Sequence, residues 1–303
     1  SGEKMILIPS LINPEFTRDA VIEHFGKLKY KFGVVALTPT KRKQDDYGEC
    51  DCILVDRSNI YDEIYDLQQG IYGTDGKGKI RVLTNRYDGI DLPDESCRLL
   101  IIDSMPYFNS LVDRYEEQCR VNSDIINIRL AQRIEQGLGR SVRGEKDYSV
   151  ILLIGADLVK FIRSTRTSRY FSPQTKKQID IGFQIADMAK EDLRADEPAL
   201  KVVTSLIVQA LVKRDEGWKE FYREEMDKLS LSDGKSDIYD ILELEKVAEA
   251  FSFKKNHEEA CNKIQIILDK YIKDDSERGW YMQILARYKY SVSYTHLTLP
   301  TNS

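Results

Sequence analysis

The chain has 303 residues, of which 42% are hydrophobic and 31% are charged, and its formal net charge is -5. That length suits two domains, the composition supplies a hydrophobic core, and the acidic balance excludes a generally basic nucleic-acid-binding coat. No apolar run approaches the roughly 18 residues of a membrane span, and no signal-peptide pattern is present, so we expect a soluble cytoplasmic protein.

The first half of the sequence contains six short runs rich in Val, Ile and Leu, separated by amphipathic segments. Nearly continuous apolar runs are typical of strands that are buried on both faces of a parallel sheet. Strands that alternate with helices predict an open α/β sheet. The runs cover residues 4–10, 32–39, 50–56, 79–85, 97–103 and 148–155.

Helices are predicted between these strands. One begins near Pro14, a residue that suits the first turn of a helix. Another has Ser58 or Asn59 as its N-cap and ends at Gly70. The predicted helices cover residues 14–28, 58–70 and, as one long element, 109–137.

After about residue 165 the runs that are typical of strands stop. Apolar residues then recur every three or four positions, which is typical of amphipathic helices. We therefore expect an α/β domain over residues 1–162 and a helical accessory domain over residues 163–290.

The last segment, residues 291–303, does not continue the helical periodicity. Its "VSYTHL" resembles one reading frame of a transposon-end adapter used to prepare sequencing libraries. We interpret the segment as a non-native tail, in place of which the natural protein continues past Ser291. A natural polar terminus is the alternative.

Five cysteines are scattered along the chain. Cys50 and Cys52 are close in sequence, but they lack the second pair of ligands that a zinc site needs. We therefore expect no metal site here, and reduced cysteines as in other cytosolic proteins.

The segment "QGLGRSVR" contains the pattern Gln-x-x-Gly-Arg-x-x-Arg through Gln136, Gly139, Arg140 and Arg143. It follows a predicted helix, precedes a predicted strand, and resembles motif VI of superfamily 2 helicases. In that family the arginines reach a nucleotide bound on the other lobe. A planar, permanently charged guanidinium suits the negative charge on a transferring phosphoryl group. The resemblance implies catalytic roles for Arg140 and Arg143, and nucleotide contacts for Gln136 and Gly139.

A second pattern, "DGIDLP", lies between two predicted strands upstream of these arginines. By itself it could be an ordinary turn. It resembles motif V of the same enzymes, especially of their Rad3-like and DEAH-box branch, where this motif links bound nucleic acid to the nucleotide site. The resemblance assigns coupling to Asp88, Gly89 and Asp91, and nucleic-acid contacts to Thr84, Asn85 and Arg86.

Motif IV of that family fits residues 33–40, with residues 5–16 as the alternative. We prefer the former, which makes residues 5–30 the entry from a first lobe. The sequence contains no Walker A loop in a strand-to-helix context and no DEAD or DEAH box. The resemblance therefore implies a second RecA-like lobe cut away from the first, with ATP and Mg²⁺ bound mainly by the absent first lobe.

The most basic stretch, residues 161–178, contains five Arg or Lys and no acidic residue, with aromatic residues between the basic ones. Guanidinium contacts to phosphates, with aromatic stacking on bases, suit single-stranded nucleic acid. We expect such contacts from Arg163, Arg166 and Arg169. A solvated linker whose aromatic side chains belong to the core is an equal alternative.

Together these resemblances predict the C-terminal part of an ATP-dependent helicase or translocase that acts on DNA, with RNA possible. The fragment alone is expected to be inactive, because it lacks the first lobe. The alternative is a binding scaffold for nucleic acid or protein that retained the lobe and lost catalysis.

Overall fold

A computed structural model describes residues 2–73, 77–87, 92, 94–107, 110–120, 123–142, 147–194, 200–229 and 237–295. Within these residues, six parallel strands form one sheet in the order β1-β6-β5-β2-β4-β3. Each of the six predicted runs forms one strand. The strands are β1 Glu3–Leu7, β2 Val34–Thr38, β3 Ile53–Val55, β4 Ile80–Thr84, β5 Leu99–Asp103 and β6 Tyr148–Ile154.

Burial explains why these runs are continuous rather than alternating. Every residue of β2 and β5, the two middle strands, is buried, as expected when helices cover both faces of a parallel sheet. The predicted fold class is confirmed, since a parallel sheet with flanking helices precedes a helical C-terminal region. β1 belongs to this sheet and pairs with β6. The segment 5–30, expected as the entry from a first lobe, therefore begins within this lobe.

The helices that accompany the sheet follow local capping signals. Thr17 caps α2, since its hydroxyl oxygen accepts the N–H of Ala20, so this helix begins later than the predicted start near Pro14. Gly70 follows α4 with φ of 76°, a left-handed conformation that suits glycine. The helices are α1 Pro9–Ile12, α2 Arg18–Lys27, α3 Lys41–Asp45, α4 Ile60–Gln68, α5 Leu111–Cys119, α6 Asp124–Leu138, α7 Ala156–Arg163 and α8 Thr165–Ser168.

The prediction of one long helix over residues 109–137 is wrong, because α5 and α6 are separate. Arg120 follows α5 and leaves the helical region, with φ of -120° and ψ of 49°. Ser123 and Asp124, a pair typical of helix starts, precede the rest of α6. That signal was present in the sequence, but the apolar spacing on either side concealed it.

The C-terminal helices begin with α9, which packs directly on β1. Gly182 allows this close approach, because a Cβ there would lie 2.9 Å from the carbonyl oxygen of Ile6. The remaining helices are α9 Pro173–Glu191, α10 Lys201–Leu211, α11 Glu216–Asp227, α12 Asp237–Phe253, α13 His257–Lys270 and α14 Asp275–Thr295. α14 thus extends past residue 290, into the segment that the sequence marks as a possible tail.

The chain divides into two compact units. Unit 1 contains residues 1–107 and 129–231, and unit 2 contains residues 108–128 and 232–303. This division differs from the expected boundary between residues 162 and 163, because α9, α10 and α11 pack with the sheet of unit 1.

An aromatic ring ties the loop after α10 to the sheet of unit 1. The ring of Tyr148 lies between two guanidinium groups, with Arg98 at 3.8 Å and Arg214 at 3.5 Å from its centroid. Arg214 also donates two hydrogen bonds of 3.1 Å to the carboxylate of Glu3 on β1. Cation–π contacts on both faces of one ring hold the loop against two strands.

Unit 2 has a core of its own, formed by α12, α13 and α14. Its polar centre is the buried side chain of Arg120, which donates to Glu277 at 2.7 and 2.6 Å and to Glu116 at 2.6 Å. Burying a charge is costly unless it is paired, and here both carboxylates supply the pairing.

Candidate nucleotide and nucleic-acid site

The first part of the candidate site lies at the carboxyl edge of the sheet, where β2 and β4 end. The N–H of Asn85 donates to the carbonyl oxygen of Thr38 at 2.8 Å, and the hydroxyl oxygens of Thr38 and Thr84 are 3.2 Å apart. Asn85 has φ of 54°, a left-handed conformation that asparagine tolerates better than most residues. The turn at Asn85 directs the chain away from β4.

From Asn85 to Tyr87 the chain follows α6. The guanidinium of Arg133 donates to the side-chain oxygen of Asn85 and lies 5.6 Å from the centroid of the Tyr87 ring. Nε of Arg140 donates to the carbonyl oxygen of Tyr87 at 2.8 Å. The loop that directly precedes the segment resembling motif V is therefore in contact with α6 and with Arg140 of the segment resembling motif VI.

Gly137 permits this contact between the loop and the helix. A Cβ at Gly137 would lie 3.1 Å from Cδ1 of Tyr87 and 3.2 Å from Cδ1 of Ile102, closer than side chains usually pack. A Cβ at Gly139, just after α6, would meet only backbone oxygens at 3.4 and 3.5 Å. Of the two glycines in the motif, Gly137 is therefore the one that packing requires.

Tyr87 is the buried anchor of the loop, with only 1% of its surface exposed. Burial, and next the charge of Asp103, raise the pKa of its phenol above the usual range. Its hydroxyl has no hydrogen-bond partner among the residues that the structure describes. Sequence reasoning missed both Tyr87 and Arg133, because neither belongs to the motif patterns.

The remaining predicted site residues of the two motifs are exposed, half-buried or outside the described part of the chain. Gln136 and Gly139 are exposed at the end of α6, Arg140 is half-buried, and Arg86 is exposed in the loop after β4. These residues are accessible to a ligand. Four of the predicted site residues lie outside the described part of the chain: Asp88, Gly89, Asp91 and Arg143.

The basic stretch contains exposed arginines and buried aromatic rings. Arg163, Arg166 and Arg169 are exposed. The rings of Phe161 and Phe171 are buried and meet edge to face at 6.0 Å. Of the two alternatives for this stretch, the burial of both rings in unit 1 favours the one in which the aromatic side chains belong to the core. The contacts of the three arginines with nucleic acid stay a prediction.

An open cavity of about 650 Å³ lies at the carboxyl edge, beside the end of β6, and Arg18, Lys160 and Arg163 contribute to its lining. Arg18 donates to both carboxylate oxygens of the fully buried Asp103, at 2.7 and 2.8 Å. Burial disfavours the charge on Arg18, but its hydrogen bonds to Asp103 outweigh burial and raise its pKa. Arg18 also donates to Asp46 at 2.7 Å, so its charge is paired with two carboxylates at this end of the sheet.

Residues 59–173 match the helicase C-terminal domain family. The matched segment begins just before α4 and ends in the basic stretch, so it contains both motif segments. It confirms the predicted resemblance to superfamily 2 helicases of the Rad3-like type and indicates a helicase-type function in general terms. A search of curated proteins finds no match to this chain.

Outside the helicase C-terminal domain motifs, the described residues offer little further chemistry. Among them, no three His, Cys, Asp or Glu side chains converge as a metal ligand set. Cys50 and Cys52 are half-buried free thiols, and burial raises the pKa of Cys52 to about 12. No helix within the described ranges is long and apolar enough to cross a membrane.

Proposed function

We propose that this chain is the C-terminal part of a nucleic-acid-dependent ATPase, a superfamily 2 helicase or translocase. Its ATP site is shared with a first RecA-like lobe of the same protein. The observation that carries the proposal is the hydrogen bond from Arg140 to the backbone of Tyr87, because it joins the segment that resembles motif VI to the loop that leads into the segment resembling motif V.

In this proposal Arg140 and Arg143 stabilise the charge that develops on the γ-phosphoryl group. The guanidinium of Arg140 is anchored through Nε, so the position of the loop that precedes "DGIDLP" determines its orientation. Guanidinium groups placed in this way act by electrostatic stabilisation, which supplies most of the catalysis of phosphoryl transfer. The exposed Gln136 and Gly139 precede Arg140 at the end of α6, and we assign contacts with the nucleotide to them.

ATP and Mg²⁺ are assigned mainly to the first lobe. Among the described residues no three His, Cys, Asp or Glu side chains converge as a metal ligand set. Bound Mg²⁺ supplies charge neutralisation at the phosphates. Asp88, Gly89 and Asp91 are proposed to couple the occupancy of the ATP site to the position of the nucleic acid.

Nucleic acid is assigned to the carboxyl edge of the sheet, with DNA as the preferred partner and RNA as the second. Thr84 ends β4 at this edge and Asn85 and Arg86 follow it, and the cavity that Arg163 lines opens at the same edge. Exposed arginines bind phosphates without regard to sequence, so binding should weaken steeply as the salt concentration rises. The exposed Arg166 and Arg169 extend this positive surface along α8.

Alanine substitution of the two arginines tests the catalytic assignment in the full-length protein. Arg140→Ala and Arg143→Ala should each lower nucleic-acid-stimulated ATP hydrolysis by about 10³-fold or more, as for other arginine fingers, with folding intact by circular dichroism. The 303-residue chain alone should show no hydrolysis above buffer. Wild-type turnover in both variants, or a full reading frame without a Walker A loop and DEAH-like box, would contradict the proposal.

A further inference from the structure

We propose that Arg133 is a positioning residue that couples the nucleic-acid contact at Asn85 to the catalytic Arg140. The inference rests on the proposed ATPase function and deepens it. It concerns a side chain that lies outside both motif patterns. Three contacts of α6 and of Arg140, just after it, with the loop after β4 carry the argument.

Two of the contacts lie on one face of α6, and the third lies just after this helix ends. Arg133 and Gly137 are four residues apart, a spacing that places them on the same side of a helix, and Arg140 follows two residues after Leu138, the last residue of α6. Each touches a successive part of the loop, first the Asn85 side chain, then the Tyr87 ring, and last the Tyr87 carbonyl oxygen. The loop from Asn85 to Tyr87 therefore runs along α6 towards Arg140.

Arg133 holds the first of these contacts by its guanidinium. Its hydrogen bond occupies the oxygen of the Asn85 side-chain amide, which leaves the NH₂ group of that amide as the end suited to an acceptor. A phosphate oxygen is such an acceptor. Arg133 thus selects the orientation in which Asn85 donates to a nucleic-acid backbone.

Tyr87 connects the contact between Arg133 and Asn85 to Arg140. Its ring is buried against Gly137 and Ile102, and the guanidinium of Arg133 lies 5.6 Å from its centroid. Because no described residue bonds its hydroxyl, packing and the cation–π contact position this ring. A shift of Asn85 and Arg133 therefore moves Tyr87, and the Tyr87 carbonyl oxygen moves Nε of Arg140 with it.

Kinetics of the full-length protein with a single-stranded DNA oligonucleotide test the inference. Arg133→Met keeps the length of the side chain and removes both the hydrogen bond and the charge. It should lower the stimulated kcat about tenfold, in line with the size of mutational effects on coupling. The KM for ATP should change by less than about twofold, because Arg133 does not touch the nucleotide. Arg133→Lys keeps the charge and should recover part of kcat.

A double-mutant cycle separates coupling from a general loss of structure. If Arg133 acts through Asn85, then Asn85→Ala with Arg133→Met should be no slower than the slower single variant. Gln132→Ala, at an exposed neighbouring position on α6, is the matched control and should behave as wild type. If Arg133→Met does not fold, as judged by thermal unfolding, the cycle is run with Arg133→Lys.

Three results would overturn the inference. One is a stimulated kcat for Arg133→Met within about twofold of wild type, which is less than coupling of this kind predicts. Another is strict additivity in the cycle, and the third is a rise in the KM for ATP that accounts for the whole loss. If the wild-type protein hydrolyses ATP and only the cycle fails, the proposed function stands; if wild type hydrolyses no ATP with any nucleic acid, both fall.

Discussion

Glu225 on α11 shows how a single carboxylate ties two helices of unit 1. It accepts hydrogen bonds from Lys177 at 2.6 Å and Gln184 at 3.3 Å, both on α9, and from Lys228, which directly follows α11. The hydrogen bond from Lys177, followed by that from Lys228, lowers its pKa to about 2 from an ordinary value of 4.5. The ionised carboxylate is therefore the form that the folded state favours.

This shift predicts a dependence of stability on acid pH. Because the folded pKa lies below the unfolded one, the contribution of Glu225 is complete above pH 4.5 and is lost as the pH falls towards 2. Glu225→Gln should weaken the loss of stability between pH 5 and pH 3, as measured by urea unfolding. Glu224→Gln, at the exposed neighbouring position, is the control. An unchanged pH dependence in Glu225→Gln would contradict the assignment.

The hydroxyl of Tyr87, which has no hydrogen-bond partner among the described residues, gives a second prediction at the scale of one residue. Removing a buried polar group that has no partner costs little or stabilises, so Tyr87→Phe should change the free energy of unfolding by less than about 1 kcal/mol or raise it. Tyr87→Ala removes the ring from its packed site and should cost about 3–5 kcal/mol. Chemical unfolding of both variants decides the matter. A large loss in Tyr87→Phe would show that the hydroxyl has a partner.

At the scale of elements, two glycines in helices should respond in opposite ways to the same substitution. A Cβ at Gly182 of α9 would meet the backbone of β1 at 2.9 Å, so Gly182→Ala should destabilise by about 1–3 kcal/mol through overpacking. A Cβ at Gly279 in α14 would meet no atom of another described segment within 4 Å, so Gly279→Ala should stabilise by about 0.5–1 kcal/mol through helix propensity. Thermal unfolding measures both changes. A stabilising Gly182→Ala would rule out the close approach of α9 to β1.

The strands were the elements that the sequence predicted most readily, whereas the prediction of one long helix over residues 109–137 was wrong. All six strands were predicted from apolar runs, since burial on both faces leaves a pattern that needs no knowledge of the partner strand. The break between α5 and α6 was missed, because apolar spacing on either side concealed the helix-start signal at Ser123 and Asp124. Arg120 at the break is also paired with Glu277, a residue far away in the sequence. Apolar periodicity cannot report a contact of that range.

At the scale of the whole molecule, unit 2 is assembled from two distant segments of the chain. Arg120 in the first segment is paired with Glu277 in the second, so its guanidinium joins them. Arg120→Met would leave the carboxylates of Glu116 and Glu277 without their buried partner. Breaking a buried ion pair in this way typically costs about 3–5 kcal/mol.

The expected result is a loss of protection from hydrogen exchange in α14 and around α5. Arg114→Met, on the exposed side of α5, is the matched control and should leave exchange unchanged. Equal exchange in Arg120→Met and wild type would show that the ion pairs do not hold unit 2 together.

The candidate site was predictable in part. Motif order and spacing led to Arg140, Gln136 and Asn85, because residue type alone carries that chemistry. The anchor Tyr87 and the guanidinium of Arg133 could not be found in this way. Their roles depend on how the loop after β4 lies on α6, and no local pattern encodes that contact.

The sequence by itself determined the strands, the α/β class and the helicase motifs, because these follow from local burial patterns and from side-chain chemistry. Only the tertiary structure decided the strand order, the membership of α9, α10 and α11 in unit 1, and the contact between Arg140 and Tyr87. Those features are set by packing between residues far apart in the chain. The free energy that stabilises such a contact depends on both of the surfaces that pack together, and the sequence of one segment describes only one of these surfaces.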